Sequence, residues 1–227
     1  MSDKIYSIAI DGPAGAGKST IARKAADILQ FVYADTGAIY RTLACGIYAE
    51  QIDYENASEL SAYLETLQLE PVWMEDGIQH MFLNGVDVTA SIREPHISRL
   101  TSKISALGQI RTFLLDTQRR IARTHSVIMD GRDIGTVVLP NADVKIFLYA
   151  SAEVRAKRRY LELQQKGIFQ PYESVLQEMR DRDYRDSHRS IAPLKAAEDS
   201  VLLDTSELDL QQSIQAVIAI IRKKLGL

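Results

Sequence analysis

The sequence predicts an α/β fold. Five parallel strands form a sheet flanked by helices, with a small antiparallel β meander inserted and a helical lid. Three observations predict it. Short apolar, β-branched runs alternate with segments of helical periodicity, as in a parallel sheet covered on both faces. A glycine-rich loop, residues 12–20 (GPAGAGKST), joins the first such run to the first helix. Residues 69–89 interrupt the alternation with the hairpin dipeptides Asp76-Gly77 and Asn84-Gly85, which favour tight turns with positive φ.

Residues 5–10 (IYSIAI) are apolar and stop at Asp11-Gly12, as a buried parallel strand does. Ile21, Ala22, Ala25, Ile28 and Leu29 fall at helical spacing and predict a helix over 19–29. Residues 31–33 form a second short strand. A helix over 36–50 follows, with Asp35 or Thr36 as N-cap, then one over 56–67 capped near Asn56 or Ser58. After the meander, helices are expected over 95–106 and 109–123. Strands are expected at 126–129, 144–148 and 201–203. Helices at 152–165 and 173–188 are rich in arginine, and 210–225 closes the chain. There is no internal repeat. The expected division is a core (about 1–35, 107–150 and 191–227), a region with the β insert (about 36–106) and an arginine-rich helical lid (about 151–190).

Composition narrows the function. Of 227 residues, 46% are hydrophobic and 25% charged, which excludes disordered and collagen-like chains. The net charge of −3 argues against a general nucleic-acid binder, so an anionic ligand must be held by a local site. Cys45 is the only cysteine, so an intrachain disulfide is impossible, and it is expected to be a small packed side chain. The apolar run before Asp11 is too short for a signal-peptide core or a membrane span. A cytoplasmic protein is expected.

The loop Gly12, Pro13, Ala14, Gly15, Ala16, Gly17, Lys18, Ser19, Thr20 fits G-x4-G-K-[ST] between strand and helix. Its glycines let several backbone N–H groups converge on phosphate oxygens, and the next helix adds its positive end. Lys18 supplies a charge between the β- and γ-phosphates of a nucleoside triphosphate, and Ser19 a hydroxyl for Mg²⁺. No Asn-Lys-x-Asp loop for guanine is present. The size suits a small-molecule kinase better than a motor or remodelling ATPase.

Asp35-Thr36-Gly37-Ala38-Ile39-Tyr40-Arg41 begins where the second strand ends, the place where open α/β sheets bind ligands. Thr36 and Tyr40 stand one turn apart, as do Gly37 and Arg41. Helix dipole, hydroxyls and a guanidinium fork suit a second phosphate. Asp130-Gly131-Arg132-Asp133 follows another core strand, and Asp130 sits where an acid supports Mg²⁺ through water. The alternative is a charged turn with an internal Arg–Asp pair. Arg155, Lys157, Arg158 and Arg159 lie on one helix, and Arg182, Arg185, Asp186 and Arg189 on the next. Spacing puts Arg182, Asp186 and Arg189 on one face. These helices read as a lid that clamps the transferring group, or as solvated surface for several of the arginines.

Taken in order, GPAGAGKST, DTGAIYR, DGRDIGTVVLPNADVKIFL, RDYRDSHR…APL and LDTSEL resemble the bacterial-type cytidylate kinases over nearly the whole chain. The resemblance implies a P-loop nucleoside monophosphate kinase with core, lid and an enlarged monophosphate-binding region. It implies transfer from ATP to CMP or dCMP with Mg²⁺. By position, acceptor-phosphate and ribose contacts fall on Thr36, Tyr40, Arg41, Arg132, Asp186 and Arg189. Cytosine contacts fall on Ser102, Arg111 and Asp133, and lid arginines on Arg158 and Arg182. Lys18, Arg132, Arg158 and Arg182 would be the catalytic charges. An acceptor phosphate needs no general base, and none of His80, His96, His125 and His188 lies in the P-loop, DTGAIYR or DGRD motifs. The rivals are a P-loop kinase for another small molecule and a nucleotide-sensing binding protein. Partners are expected to be small molecules only, and the protein a monomer.

Overall fold

The computed structural model describes residues 4–75 and 77–227. These divide into two compact units, one of residues 4–33 and 125–227, the other of residues 34–75 and 77–124.

The first unit is built on a five-stranded parallel sheet of order β2-β6-β1-β7-β8. Its strands are β1 (Ser7–Asp11), β2 (Val32–Asp35, whose first two residues belong to this unit), β6 (Val127–Gly131), β7 (Val144–Tyr149) and β8 (Val201–Asp204). β1 pairs in parallel with β6, Ile8 opposite Ile128 and Asp11 opposite Gly131, and with β7, Ile8 opposite Val144. Val32 N–H donates to the Ser126 carbonyl at 2.8 Å. Helices α1 (Lys18–Leu29) and α8 (Leu210–Leu225) cover the sheet. Ile21, Ala22 and Ala25 of α1 and Ile214, Val217 and Ile221 of α8 pack with Ile8, Ile10 and Ile128 of the strands into one core. α8 starts on a capping box, in which Asp209 accepts the Gln212 N–H and Gln212 the Asp209 N–H, and ends at Gly226 with left-handed backbone. α6 (Ala152–Gln165) and α7 (Tyr172–Ser187) form a hairpin around Ala156, Leu163, Val175 and Leu176.

The second unit holds α2 (Thr36–Ala49), α3 (Ala57–Thr66), a three-stranded sheet β3-β4-β5, α4 (Pro95–Ile104) and α5 (Gly108–Thr124). β3 (Leu69–Trp73) and β4 (Gln79–Leu83) pair antiparallel, as do β4 and β5 (Val86–Asp87). This is the expected meander. Asn84 and Gly85 both have positive φ, 49° and 80°, the conformation a two-residue hairpin turn requires. Of the other expected turn, Asp76 lies outside the described residues, while Gly77 has φ 73°. Asp35 proves to be the cap of α2, its carboxylate accepting the Ala38 N–H.

Other departures are local. A 3₁₀ turn at Ser91–Arg93 and a π-helical turn at Ile134–Val138 were not expected. α7 ends at Ser187, so Arg189 is beyond the helix and not on the face that carries Arg182 and Asp186. Among the described residues no helix is long and apolar enough to cross a membrane.

Candidate active site

In the first unit the loop from Gly12 to Gly17 leaves the carboxyl end of β1, the central strand, and opens α1. Gly12 is obligatory: a Cβ there would stand 1.9 Å from the Leu148 carbonyl oxygen of β7. No side chain caps α1, whose N-cap is Gly17 with φ 85°. Its first N–H groups thus point out of the helix toward the loop. Lys18 is buried, with Nζ donating to the Pro13 carbonyl at 2.8 Å. Burial, and next the positive charge of Arg132, bring its pKa down from 10.5 to about 7; Arg182 acts in the same direction. Asp130 and Asp11 act in the opposite sense, and a polyphosphate beside the lysine would further favour its charged form.

Ser19 Oγ donates to Asp130 Oδ2 at 2.9 Å, and Tyr33 Oη to Asp130 Oδ1 at 2.8 Å. A hydroxyl and a buried carboxylate are hard oxygen donors suited to Mg²⁺. No group of three or more acidic, His or Cys ligands exists among the described residues. Tyr33, which orients Asp130, was read from sequence only as a strand residue.

Arg132 does not pair within its own turn. Its Nε donates to Asp186 Oδ2 at 2.9 Å, and Arg189 Nη2 donates to Asp186 Oδ1. Burial pushes the Asp186 carboxyl up, but Arg132 and Arg189 outweigh it, and the group sits below the ordinary carboxylate range. Asp133 is buried, and its side chain does not cap the π-turn that follows. The structure therefore joins Arg132, Asp186 and Arg189 in one cluster, with Arg132 and Arg182 near Lys18. Arg158 is engaged differently, donating to the Thr205 carbonyl at 2.8 Å. Arg155 corrects the reading of the arginine-rich helices. It is buried, forms a two-pronged pair with Asp183 at 3.0 and 2.6 Å, and donates to the carbonyl of Ala14 in the phosphate loop at 3.0 Å. It is a brace between α6, α7 and the loop, and the i,i+3 spacing from Arg158 gave no sign of the difference.

Asp11 was also missed. Its carboxylate ends β1 and accepts the N–H groups of Ile134 and Gly135, both at 2.7 Å, so it fastens the π-turn behind Arg132 and Asp133. Burial outweighs these bonds and raises its pKa from 3.8 to about 6, with Asp133 adding to the rise. A folded-state value above the unfolded one favours folding most below about 3.8, and the benefit is lost as pH rises through about 6. Between pH 4.5 and 7.5 the wild type should therefore lose about 2 kcal/mol relative to Asp11→Asn, at about 1.4 kcal/mol per pH unit. Urea unfolding of both proteins at the two pH values measures it, and parallel behaviour would contradict the buried-acid assignment.

In the second unit, Thr36 is buried at the first position of α2. Arg41 Nη2 donates to Asp35 Oδ2 at 2.8 Å, and the guanidinium folds back over Gly37. Arg111 is buried, lies 5.8 Å from the Tyr40 ring centroid, and donates to the Ser105 carbonyl at 3.0 Å. Ser102 is on α4, three residues before Ser105. Tyr40 and Arg111, far apart in sequence, are thus neighbours, as are Asp35 and Arg41.

A phosphate loop of this form on a five-stranded parallel sheet defines a P-loop nucleotide-binding protein. Shikimate kinase from Bacteroides thetaiotaomicron shares the fold, with TM-score 0.50 at 14% identity over 99% of this chain and 100% of that one. The family model described as cytidylate kinase matches residues 8–223. Cytidylate kinase from Lactobacillus gasseri is 45% identical over 220 residues, 97% of this chain and 95% of the relative. That from Carboxydothermus hydrogenoformans is 46% identical over 217 residues, 96% and 97% of the two. The chain belongs to the cytidylate kinase family.

Proposed function

We propose that the protein transfers the γ-phosphoryl group of ATP, as its Mg²⁺ complex, to CMP and dCMP, giving CDP and dCDP with release of ADP. The observation that carries phosphoryl transfer is buried Lys18 at the phosphate loop, its Nζ on the Pro13 carbonyl, with the cations Arg132 and Arg182 acting on it. The likeness to cytidylate kinases supports the choice of acceptor.

Residues 12–20 would hold the donor phosphates, with backbone N–H groups and Lys18 as the principal contacts. Ser19, with Asp130 through water, would hold Mg²⁺, which when bound offsets charge on the β- and γ-phosphate oxygens. The acceptor's phosphate and ribose contacts would fall on Thr36, Tyr40, Arg41, Arg132, Asp186 and Arg189. Ser102, Arg111 and Asp133 would read cytosine. The nucleophile is a phosphate oxygen, already ionised at neutral pH because its second pKa is about 6, so no general base is needed. Lys18, Arg132, Arg158 and Arg182 act by offsetting charge and aligning the reactants. Movement of the α6–α7 hairpin would bring its arginines to bear and exclude water as a competing acceptor. The same reading has the enzyme act in the cytoplasm as a monomer on small molecules, without nucleic-acid or membrane partners. Chromatography of ATP and CMP incubated with the protein tests it: CDP and ADP should appear in equal amounts and only with Mg²⁺ present, and absence of CDP would overturn the proposal.

Asp133 is expected to set the choice of base. Cytosine presents an amino donor where uracil presents a carbonyl acceptor, and a carboxylate accepts only. It therefore attracts one base and repels the other, a discrimination of about 1–3 kcal/mol for a good polar match. Asp133→Asn can rotate to offer a donor. It should lower kcat/KM sharply for CMP and much less for UMP. An unchanged CMP:UMP ratio would remove Asp133 from base recognition.

A further inference from the structure

The meander has no task in the reaction as described so far, and one of its side chains reaches the substrate residues of its own unit. Gln79 opens β4 and is 6% exposed. Its Oε1 accepts the Asp35 N–H at 2.8 Å, and its Nε2 donates to the Asp35 carbonyl at 3.4 Å and to the Met81 sulfur at 3.1 Å. One buried amide thus holds both backbone polar groups of a single residue. Asp35 is the residue at which β2 turns into α2. Its Oδ1 accepts the Ala38 N–H at 2.8 Å and its Oδ2 accepts Arg41 Nη2 at 2.8 Å. Gly37 makes this possible, since a Cβ there would stand 3.0 Å from Arg41 Nη1 and 3.1 Å from Asp35 Oδ1. The sequence of contacts runs from Gln79 to the Asp35 backbone, through the Asp35 carboxylate, to the Arg41 guanidinium and the first turn of α2.

We propose that Gln79 is a positioning residue for acceptor binding, holding Asp35 so that its carboxylate presents Arg41 and the N-terminus of α2 to the acceptor's phosphate. The proposal rests on the reading of Thr36 and Arg41 as phosphate contacts. Its physical basis is the cost of unmade buried hydrogen bonds. Without the amide, the Asp35 N–H and carbonyl lose their partner, and the strand-to-helix junction rotates to find others. The carboxylate moves with its backbone, and Arg41, a long side chain with many rotamers, loses the anchor that orients it. A preorganised guanidinium then becomes one that must be ordered during binding. Filling the space alone would need only an apolar side chain, and Met81, two residues on along the same face, already supplies one.

The test is a cycle of Gln79→Met, Arg41→Met and the double variant. Methionine matches the volume of glutamine and removes both hydrogen bonds to Asp35. Calorimetry gives Kd for CMP and for ATP, and thermal unfolding monitors the fold. Gln79→Met should weaken CMP about tenfold, the scale of a lost buried polar partner, and leave ATP within about twofold. The double variant should bind CMP no more weakly than Arg41→Met, because both changes disable the same element. If Gln79→Met does not fold, Gln79→Glu replaces it in the cycle; it keeps the acceptor for the Asp35 N–H and loses the donor to the carbonyl. Unchanged CMP affinity, an equal loss for ATP, or additive losses in the double variant would each overturn the proposal. Wild-type CMP affinity in Arg41→Met would instead overturn the assignment of Arg41 on which it stands.

Discussion

Replacing Lys18 by alanine is expected to abolish turnover and leave the fold in place. Lys18 is buried at the start of α1 and touches the loop through the Pro13 carbonyl. Burial and Arg132 hold its pKa near 7, so keeping the charge costs free energy in the folded protein. Phosphate reverses that balance, and the lysine is useful only then. Loss of one preorganised charge of this kind lowers kcat by about a hundredfold or more. Because burial disfavours the Lys18 charge, removing it should not lower Tm. Steady-state kinetics beside thermal unfolding measures both, and near-wild-type kcat would overturn the role of the loop.

Asp186→Ala is expected to have the second-largest effect, and on both stability and activity. Asp186 lies in the last turn of α7, where a helix disfavours negative charge. Its place is therefore explained by Arg132 and Arg189, which donate to its two oxygens. Removing it leaves two guanidinium groups together without their carboxylate. Breaking a buried pair costs about 3–5 kcal/mol; Arg132 is 20% exposed, which places the expectation at the lower end, about 3 kcal/mol. The same cations are proposed to meet the substrate, so kcat/KM for CMP should fall by about a hundredfold. Asp186→Asn, which keeps shape and loses charge, should fall between. Stability and kcat/KM equal to wild type in the alanine variant would show that the cluster has no role.

Much of this was legible because certain backbone positions admit few residues. The Gly12 to Gly17 loop and the Asn84-Gly85 turn each advertise a conformation that other residues adopt poorly. The parallel strands were legible as short β-branched runs, and the register that sets Asp11 beside Gly131 then followed from the fold. What stayed hidden has no local pattern. Ile134–Val138 is apolar and β-branched, and its π-turn depends on Asp11, more than 120 residues earlier, to accept its N–H groups. Arg155 and Arg158 share a helix and a spacing, yet one is a buried brace and the other binds a carbonyl, because only the packing of α6 on α7 distinguishes them. Gln79 is a single polar residue at the start of a strand, and its purpose lies at Asp35, 44 residues away. Arg189 was placed on a helix that stops two residues before it, an error of boundary that left its partner Asp186 correct in kind.

The most direct measurement is kcat/KM at fixed saturating MgATP for CMP, dCMP, UMP, AMP and GMP, followed by ADP release. Phosphoryl transfer with cytosine read by a buried carboxylate predicts that CMP and dCMP exceed UMP by about tenfold to a hundredfold or more, and exceed the purine monophosphates further. Faster transfer to UMP or to a purine monophosphate, or nucleotide binding with no ADP release from any acceptor, would contradict it.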